Sequence, residues 1–263
     1  MKTISEPFYQ LEIKTANCYI EVLVNDLPIF CNYENGGMTV DYPINDAIFK
    51  SGKQALEVRI IAPKRETSIS KYARYEIKVF VKEANMEASG RELVYTLPMR
   101  EDFRKKPLPI IIHKNYFEAE VPYHNIGWSN SLDLKELDKN QLLQEIKTYL
   151  TKITSIYNGR KELEYEKLYN ARMEEHSKSF YLTQEEMSDY KDSKFLGLPE
   201  KLESIVWDLY QMVFYGDNRL VSLQTKHQPP GFVFESVNKD EYGFTEMVSF
   251  HKKDKNAALE IIR

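Results

Sequence analysis

The sequence predicts an α+β chain of two domains. The first is an N-terminal antiparallel β-sandwich, jelly-roll-like. The second is a C-terminal domain of helices followed by a curved antiparallel sheet. Three observations carry this. Apolar residues alternate at period two through the first half of the chain, the period changes to three-and-four after residue 138, and strand-like runs return after residue 203. Helices first and a meander afterwards is an α+β order. The 263 residues divide as a sandwich domain at 1–125, a linker at 126–137 and an α+β domain at 138–263. Hydrophobic residues make up 42% of the chain, enough apolar material to exclude disorder as its general state.

In the first half, Asn17 to Val24 sets Cys18, Ile20, Val22 and Val24 at period two, with Leu23 breaking the polar face. Asn25-Asp26 is a turn signal ahead of the apolar Leu27 to Phe30. Asn35-Gly36-Gly37 supplies a second turn, where positive φ is needed. Met38 to Tyr42 is a short strand stopped by Pro43, which cannot donate to a ladder. After the turn Lys50-Ser51-Gly52-Lys53, the residues Leu56, Val58 and Ile60 mark a half-buried strand. Tyr75, Ile77, Val79 and Val81 mark another. Ile110 to Ile112 and Tyr116 to Val121 are two more, set around His113-Lys114-Asn115. Seven or eight short strands punctuated by turns predict a sandwich or jelly roll.

Three segments carry a resemblance. Val22-Leu23-Val24-Asn25-Asp26-Leu27-Pro28, Asp41-Tyr42-Pro43-Ile44-Asn45 and Lys50-Ser51-Gly52-Lys53-Gln54-Ala55-Leu56-Glu57-Val58-Arg59-Ile60 together resemble the galactose-binding-like jelly roll. The likeness lies in turn and core positions. It departs at Asp26 and Gln54, where the family more often has glycine and asparagine. It implies a fold and carbohydrate binding as an alternative function, and carries over no binding residue.

In the second half, Asp138 and Gln141 are spaced as a capping box. Leu142, Leu143, Ile146, Tyr149, Leu150 and Ile153 then form the apolar face of a helix that Gly159 stops. A second helix at 160–181 places Tyr165, Leu168, Tyr169, Met173, His176 and Phe180 on or near one side. Thr183 and Glu186 cap a short third helix ahead of Gly197 and Pro199. Ser204 to Tyr215 reads as a strand, Gly216-Asp217-Asn218 as a hairpin loop and Arg219 to Thr225 as the return strand. Beyond Pro229-Pro230-Gly231, the runs Phe232 to Val237, Gly243 to His251 and Ala257 to Ile262 complete a four- or five-stranded antiparallel sheet. This order resembles the NTF2-like and cystatin-like cone folds, in which a curved sheet wraps a long helix. That likeness implies a cone mouth able to hold a small ligand or an acid–base pair. Tyr169 and His176 are its pocket candidates, with Tyr210 as a further inward residue.

Composition narrows the function. No apolar run approaches the length of roughly 18–20 residues that spans a bilayer, so no membrane segment is expected. Lys and Arg number 36 against 40 Asp and Glu, a net charge of −4. Residues 1–125 hold 17 of each sign, and residues 126–263 hold 19 basic against 23 acidic side chains. A nucleic-acid partner is not expected, because phosphate neutralisation calls for a basic excess. Arg100, Arg104, Lys105 and Lys106 cluster either as a solvated loop or as an anion site. Cys18 and Cys31 are too few for a disulfide framework and read as buried free thiols. Met1 to Pro7 leads into no apolar signal region, so the chain reads as cytoplasmic.

Motifs for chemistry are sparse. The five histidines (His113, His124, His176, His227 and His251) are nowhere closer than eleven residues, and no zinc-spaced cysteine pair or HExxH occurs. No metal and no cofactor is expected. No GxSxG elbow is present, and no phosphate-cradling glycine loop occurs. Glu174-Glu175 and Glu185-Glu186 read as solvated helix faces. The expectation is a non-enzymatic protein-binding protein. Trp207, Tyr210 and Tyr215 are the partner-binding candidates, since Trp and Tyr concentrate at interface centres. Closure of a core is the competing reading of the same rings. The chain is similar to bacterial immunity proteins in being cytoplasmic, mildly acidic and poor in motifs. The likeness implies neutralisation of a cognate toxin or effector by occlusion, with the acidic half steering a basic partner. The alternatives are carbohydrate binding through the sandwich and a small ligand or enzymatic reaction in the cone mouth.

Overall fold

The computed structural model describes residues 4–34, 36–98, 103, 107–225 and 230–263. Among them it carries three α-helices and fourteen strands, and every strand pairing is antiparallel. The chain forms two units. Residues 1–125 and 178–181 make the first, and residues 126–177 and 182–263 make the second.

The first unit is a β-sandwich. Its strands are β1 (Pro7–Ala16), β2 (Tyr19–Val24), β3 (Leu27–Asn32), β4 (Met38–Pro43), β5 (Gly52–Ile61), β6 (Arg74–Glu83), β7 (Glu92–Leu97) and β8 (Ile110–Ala119). One sheet has the order β4-β1-β6-β7 and the other β3-β2-β5-β8. Period-two alternation places Leu11, Ile13, Ile77 and Val79 of one sheet and Ile20, Val22, Val58 and Ile60 of the other in the buried interior. Tyr9 and Phe117 meet across that interior with ring centroids 6.4 Å apart. Asn25 and Asp26 both have positive φ, 51° and 60°, which the two-residue loop between β2 and β3 requires. The Asn25 amide donates to Ala47 O at 2.7 Å and to Gln54 Oε1 at 2.8 Å, and its Oδ1 accepts from Ala55 N at 2.9 Å.

Three differences from the expected strands stand out. Strands β1 and β7 lie outside the expected set. Strand β8 runs unbroken through His113-Lys114-Asn115, in continuous register with β5 from Ile61↔Ile110 to Gly52↔Ala119. The two expected strands are therefore one. Lys114 and Asn115 follow the alternation of the apolar residues around them, with Lys114 exposed and Asn115 half-buried.

The second unit sets three helices against short sheets. The helices are α1 (Lys139–Gly159), α2 (Glu162–Phe180, its end belonging to the first unit) and α3 (Gln184–Asp192). Asp138 caps α1, its Oδ1 accepting from Gln141 N at 2.8 Å. Thr183 and Glu186 complete a reciprocal capping box at α3. Strands β9 (Tyr210–Tyr215), β10 (Leu220–Thr225), β11 (Phe232–Phe234), β12 (Phe244–Glu246), β13 (Phe250–His251) and β14 (Glu260–Ile261) follow. They divide into a four-stranded sheet, β14-β13-β10-β9, and a separate ladder, β11-β12. Residues 204–209 are not strand, and Trp207–Leu209 is a 3-10 turn. The core between helices and sheet holds Leu142, Ile146, Leu150 and Ile153 of α1, Tyr165, Tyr169 and Met173 of α2, and Val221, Leu223, Phe250 and Ile261 of the sheet. The segment expected as a linker, 126–137, lies in this unit. Trp128 and Leu134 are buried, and Leu132 N donates to Lys252 O at 2.9 Å.

Candidate functional site

Trp207 opens the 3-10 turn, and its half-buried ring packs on the helix–sheet core with Lys147 Nζ 5.3 Å from its centroid. On either side of it Val206 and Leu209 are each 57% exposed. Beside Trp207 lies a groove of about 500 Å³, walled by Thr151, Thr154 and Ser155 of α1 on one side and by Lys201 to Ile205 on the other. Asn158 joins the two walls, with its Oδ1 accepting from Leu202 N at 2.7 Å and its amide donating to Leu202 O at 3.5 Å. An indole edge, exposed aliphatic side chains and a hydroxyl-bearing wall can together take up an apolar side chain and satisfy the peptide that carries it.

Tyr210 and Tyr215 do not extend this surface. Tyr210 donates its hydroxyl to Val233 O at 2.8 Å and stacks on Phe232 at 4.5 Å. Burial, with the Glu235 charge adding to it, pushes its phenol up to about 12. Tyr215 is buried, and its hydroxyl exchanges hydrogen bonds with the Gln224 amide, accepting from Nε2 at 2.9 Å. Alternation sends it into the unit. Of the three residues, Trp207 alone combines a half-exposed ring with exposed apolar neighbours.

The two pocket candidates are also separated. Tyr169 is buried, stacks on Tyr165 at 4.4 Å and donates to Glu246 Oε2 at 3.2 Å. Tyr157 donates to the same oxygen at 2.5 Å, and Arg172 Nη1 donates to Glu246 Oε1 at 2.9 Å. Burial, reinforced by the Glu246 charge, holds both phenols well above the ordinary tyrosine range. For Arg172, burial opposes the charge, but the Glu246 carboxylate outweighs it and holds the guanidinium protonated more firmly than usual. Rings of Phe195, Phe234 and Phe244 surround Tyr157 edge-on. His176 instead stacks on Tyr190 of α3 at 5.4 Å. Glu246, Arg172 and Tyr157 were not legible as a group. The one local signal is a lone acid in the otherwise apolar or neutral run Phe244 to Val248.

Comparison with family models, with curated proteins and with solved structures finds no match to this chain.

The first unit has a cavity of about 920 Å³ at its loop end, lined in part by Asn17, Ser68, Ser70, Lys71 and Tyr72. The Tyr72 ring is 59% exposed, with Lys71 Nζ 5.1 Å from its centroid. Arg100, Arg104, Lys105, Lys106 and His227 lie outside the described residues. Among the described residues, no group of three or more His, Cys, Asp or Glu is placed to hold a metal, and no helix is long and apolar enough to cross a membrane. Cys18 and Cys31 are free, the first buried and the second half-buried. Burial raises both thiols, Cys31 to about 12 with the Glu21 charge adding to it, so neither is poised as a thiolate.

Proposed function

We propose that this chain is a protein-binding protein whose second unit docks its partner at Trp207. The observation that carries the reading is the exposed apolar pair Val206 and Leu209 beside a half-exposed indole and a walled groove. Exposed aliphatic and aromatic side chains set together are the mark of an interaction site. The finer form of the reading is the immunity role: occlusion of a basic toxin or effector, approached with the help of the acidic excess in residues 126–263. Two free thiols support a reducing, cytoplasmic setting.

The test is capture of the tagged chain from its native host, with a variant carrying Val206→Asp and Leu209→Asp run beside it. The reading expects one stoichiometric partner whose affinity falls by about 30-fold or more in the variant, the scale of a hot-spot loss. Leu196→Asp, at another exposed apolar position, should leave binding unchanged. No stoichiometric partner, or one held equally by both chains, overturns the reading.

A second reading, carbohydrate binding, is supported by Tyr72 on the loop-end cavity of the sandwich, beside Asn17, Ser68 and Ser70. A flat ring beside hydroxyl and amide groups suits a sugar face. A glycan array tests it. A binder lost on Tyr72→Ala favours it, and an array without a binder removes it.

A further inference from the structure

Three side chains that the binding reading leaves unused form a continuous hydrogen-bonded chain. Ser131 Oγ lies 2.7 Å from His251 Nδ1, and His251 Nε2 lies 3.0 Å from Glu260 Oε2. Each sits on a backbone fixed by its neighbour. His251 of β13 and Glu260 of β14 are directly opposite in register. The irregular segment that carries Ser131 is held alongside by the bond from Leu132 N to Lys252 O at 2.9 Å. His251 is 3% exposed, whereas Ser131 is half-buried and the Glu260 side chain is 37% exposed. Ser129 and Asn130, just before Ser131, are exposed. The network thus has a shielded centre and a serine at its rim.

The direction of these bonds follows from donor and acceptor capacity. A carboxylate only accepts, so Nε2 carries the imidazole proton. Nδ1 of the neutral ring is then a lone-pair acceptor, and Ser131 must donate to it. We propose that Ser131 is an activated nucleophile, with His251 as its general base and Glu260 as the residue that positions the ring, acting on activated carboxylic esters. This is the division of roles in a serine–histidine–acid triad, with the two ring nitrogens used in the opposite sense. Ser131 Oγ attacks the ester carbonyl while its proton passes to His251 Nδ1. That proton then goes to the departing alkoxide, leaving an acyl-serine and an alcohol. Water attacks the acyl-serine by the same route, releasing the acid and restoring Ser131. The state needed is the neutral ring. Burial disfavours the charged imidazole, and the Glu260 carboxylate only partly offsets this, so His251 stays below the ordinary histidine value.

The experiment is labelling of the intact chain with a fluorophosphonate, in which Ser131 Oγ displaces fluoride from phosphorus and His251 takes the proton. One adduct per chain on Ser131 is expected, absent in Ser131→Ala. His251→Gln should slow labelling by about 100-fold or more, the usual range for a general base. If that buried substitution prevents folding, the half-exposed Glu260→Gln carries the test. Labelling should rise with pH through the ionisation of His251. The charged groups acting on that ring are Glu260, Lys253 (3.2 Å from Glu260 Oε2) and Glu175. Removing the Glu260 charge should move the midpoint to lower pH, a change that a purely structural contact would not produce. No adduct, an adduct on another residue, or a rate and midpoint unchanged in folded Glu260→Gln overturns the proposal. None of these outcomes depends on a protein partner, so the binding reading stands or falls separately.

Discussion

Arg160 stands at φ 48°, the left-handed conformation that ends α1 and that glycine adopts most easily. Its guanidinium explains why arginine is tolerated there. It donates to Tyr157 O in the last turn of α1 at 2.5 Å, and to Leu198 O at 3.2 Å and Pro199 O at 2.7 Å in the loop after α3. Arg160→Ala should lower stability by about 1–3 kcal/mol in urea denaturation, from lost charged hydrogen bonds. Arg160→Gly should lose less, because it removes the strain of the positive φ. Glu246 is the second test at this scale. Glu246→Gln leaves Arg172 without its counter-charge and should cost about 1–3 kcal/mol by the same measurement. His251 sets a pH dependence. Its folded pKa lies below the ordinary value, so the unfolded chain takes up the proton first as pH falls. Its contribution is therefore fully present above about pH 6.5 and lost as pH drops below it. The stability lost between about pH 7.5 and 5.5 should be larger in the native chain than in His251→Gln, if that variant folds. Residue roles of this kind were the least legible in the sequence. Tyr169 was placed on the right helix face, but its partner Glu246 lies 77 residues away.

At the scale of elements, the hairpin between β9 and β10 shows how one position answers two demands. Gly216 has φ 58°, and a Cβ there would lie 2.2 Å from Trp128 Nε1. Gly216→Ala should therefore cost about 1–3 kcal/mol, as overpacking does. In a Trp207→Phe background Trp128 is the remaining tryptophan, and its fluorescence should shift toward that of a solvated indole as the buried ring is displaced. Caps and turns were legible, because each depends on residues a few positions apart. Asp138, Thr183 with Glu186, and Asn25-Asp26 all act where the sequence placed them. Strand continuity was less legible. His113-Lys114-Asn115 has turn-like polarity, yet pairing along the whole of β5 carries it through as strand. The run 204–209 has strand-like composition, yet ends in a 3-10 turn with Val206 and Leu209 facing solvent.

For the molecule as a whole, the excess of four acidic side chains in residues 126–263 is a long-range property that no single contact carries. If a basic partner docks at Trp207, its association rate should fall as salt rises, since screening shortens the reach of the field to about 8 Å near physiological ionic strength. The dissociation rate should change little. Stopped-flow association at two salt concentrations checks this, and equal rates at both remove the steering. The α+β class, strands β2 to β6, and the three helices with the N-caps Asp138 and Thr183 were determined by the sequence alone, because periodicity and local hydrogen bonding act over a few residues. The tertiary structure decided which side chains meet. It buried Tyr215, left Trp207 at a groove, gathered Tyr157, Tyr169 and Arg172 on Glu246, and set Ser131 against His251 from 120 residues away. These meetings depend on strand register and on helices packing over the sheet. The meetings on Glu246 and between Ser131 and His251 join residues 74 to 120 positions apart, beyond the few residues over which a local pattern acts.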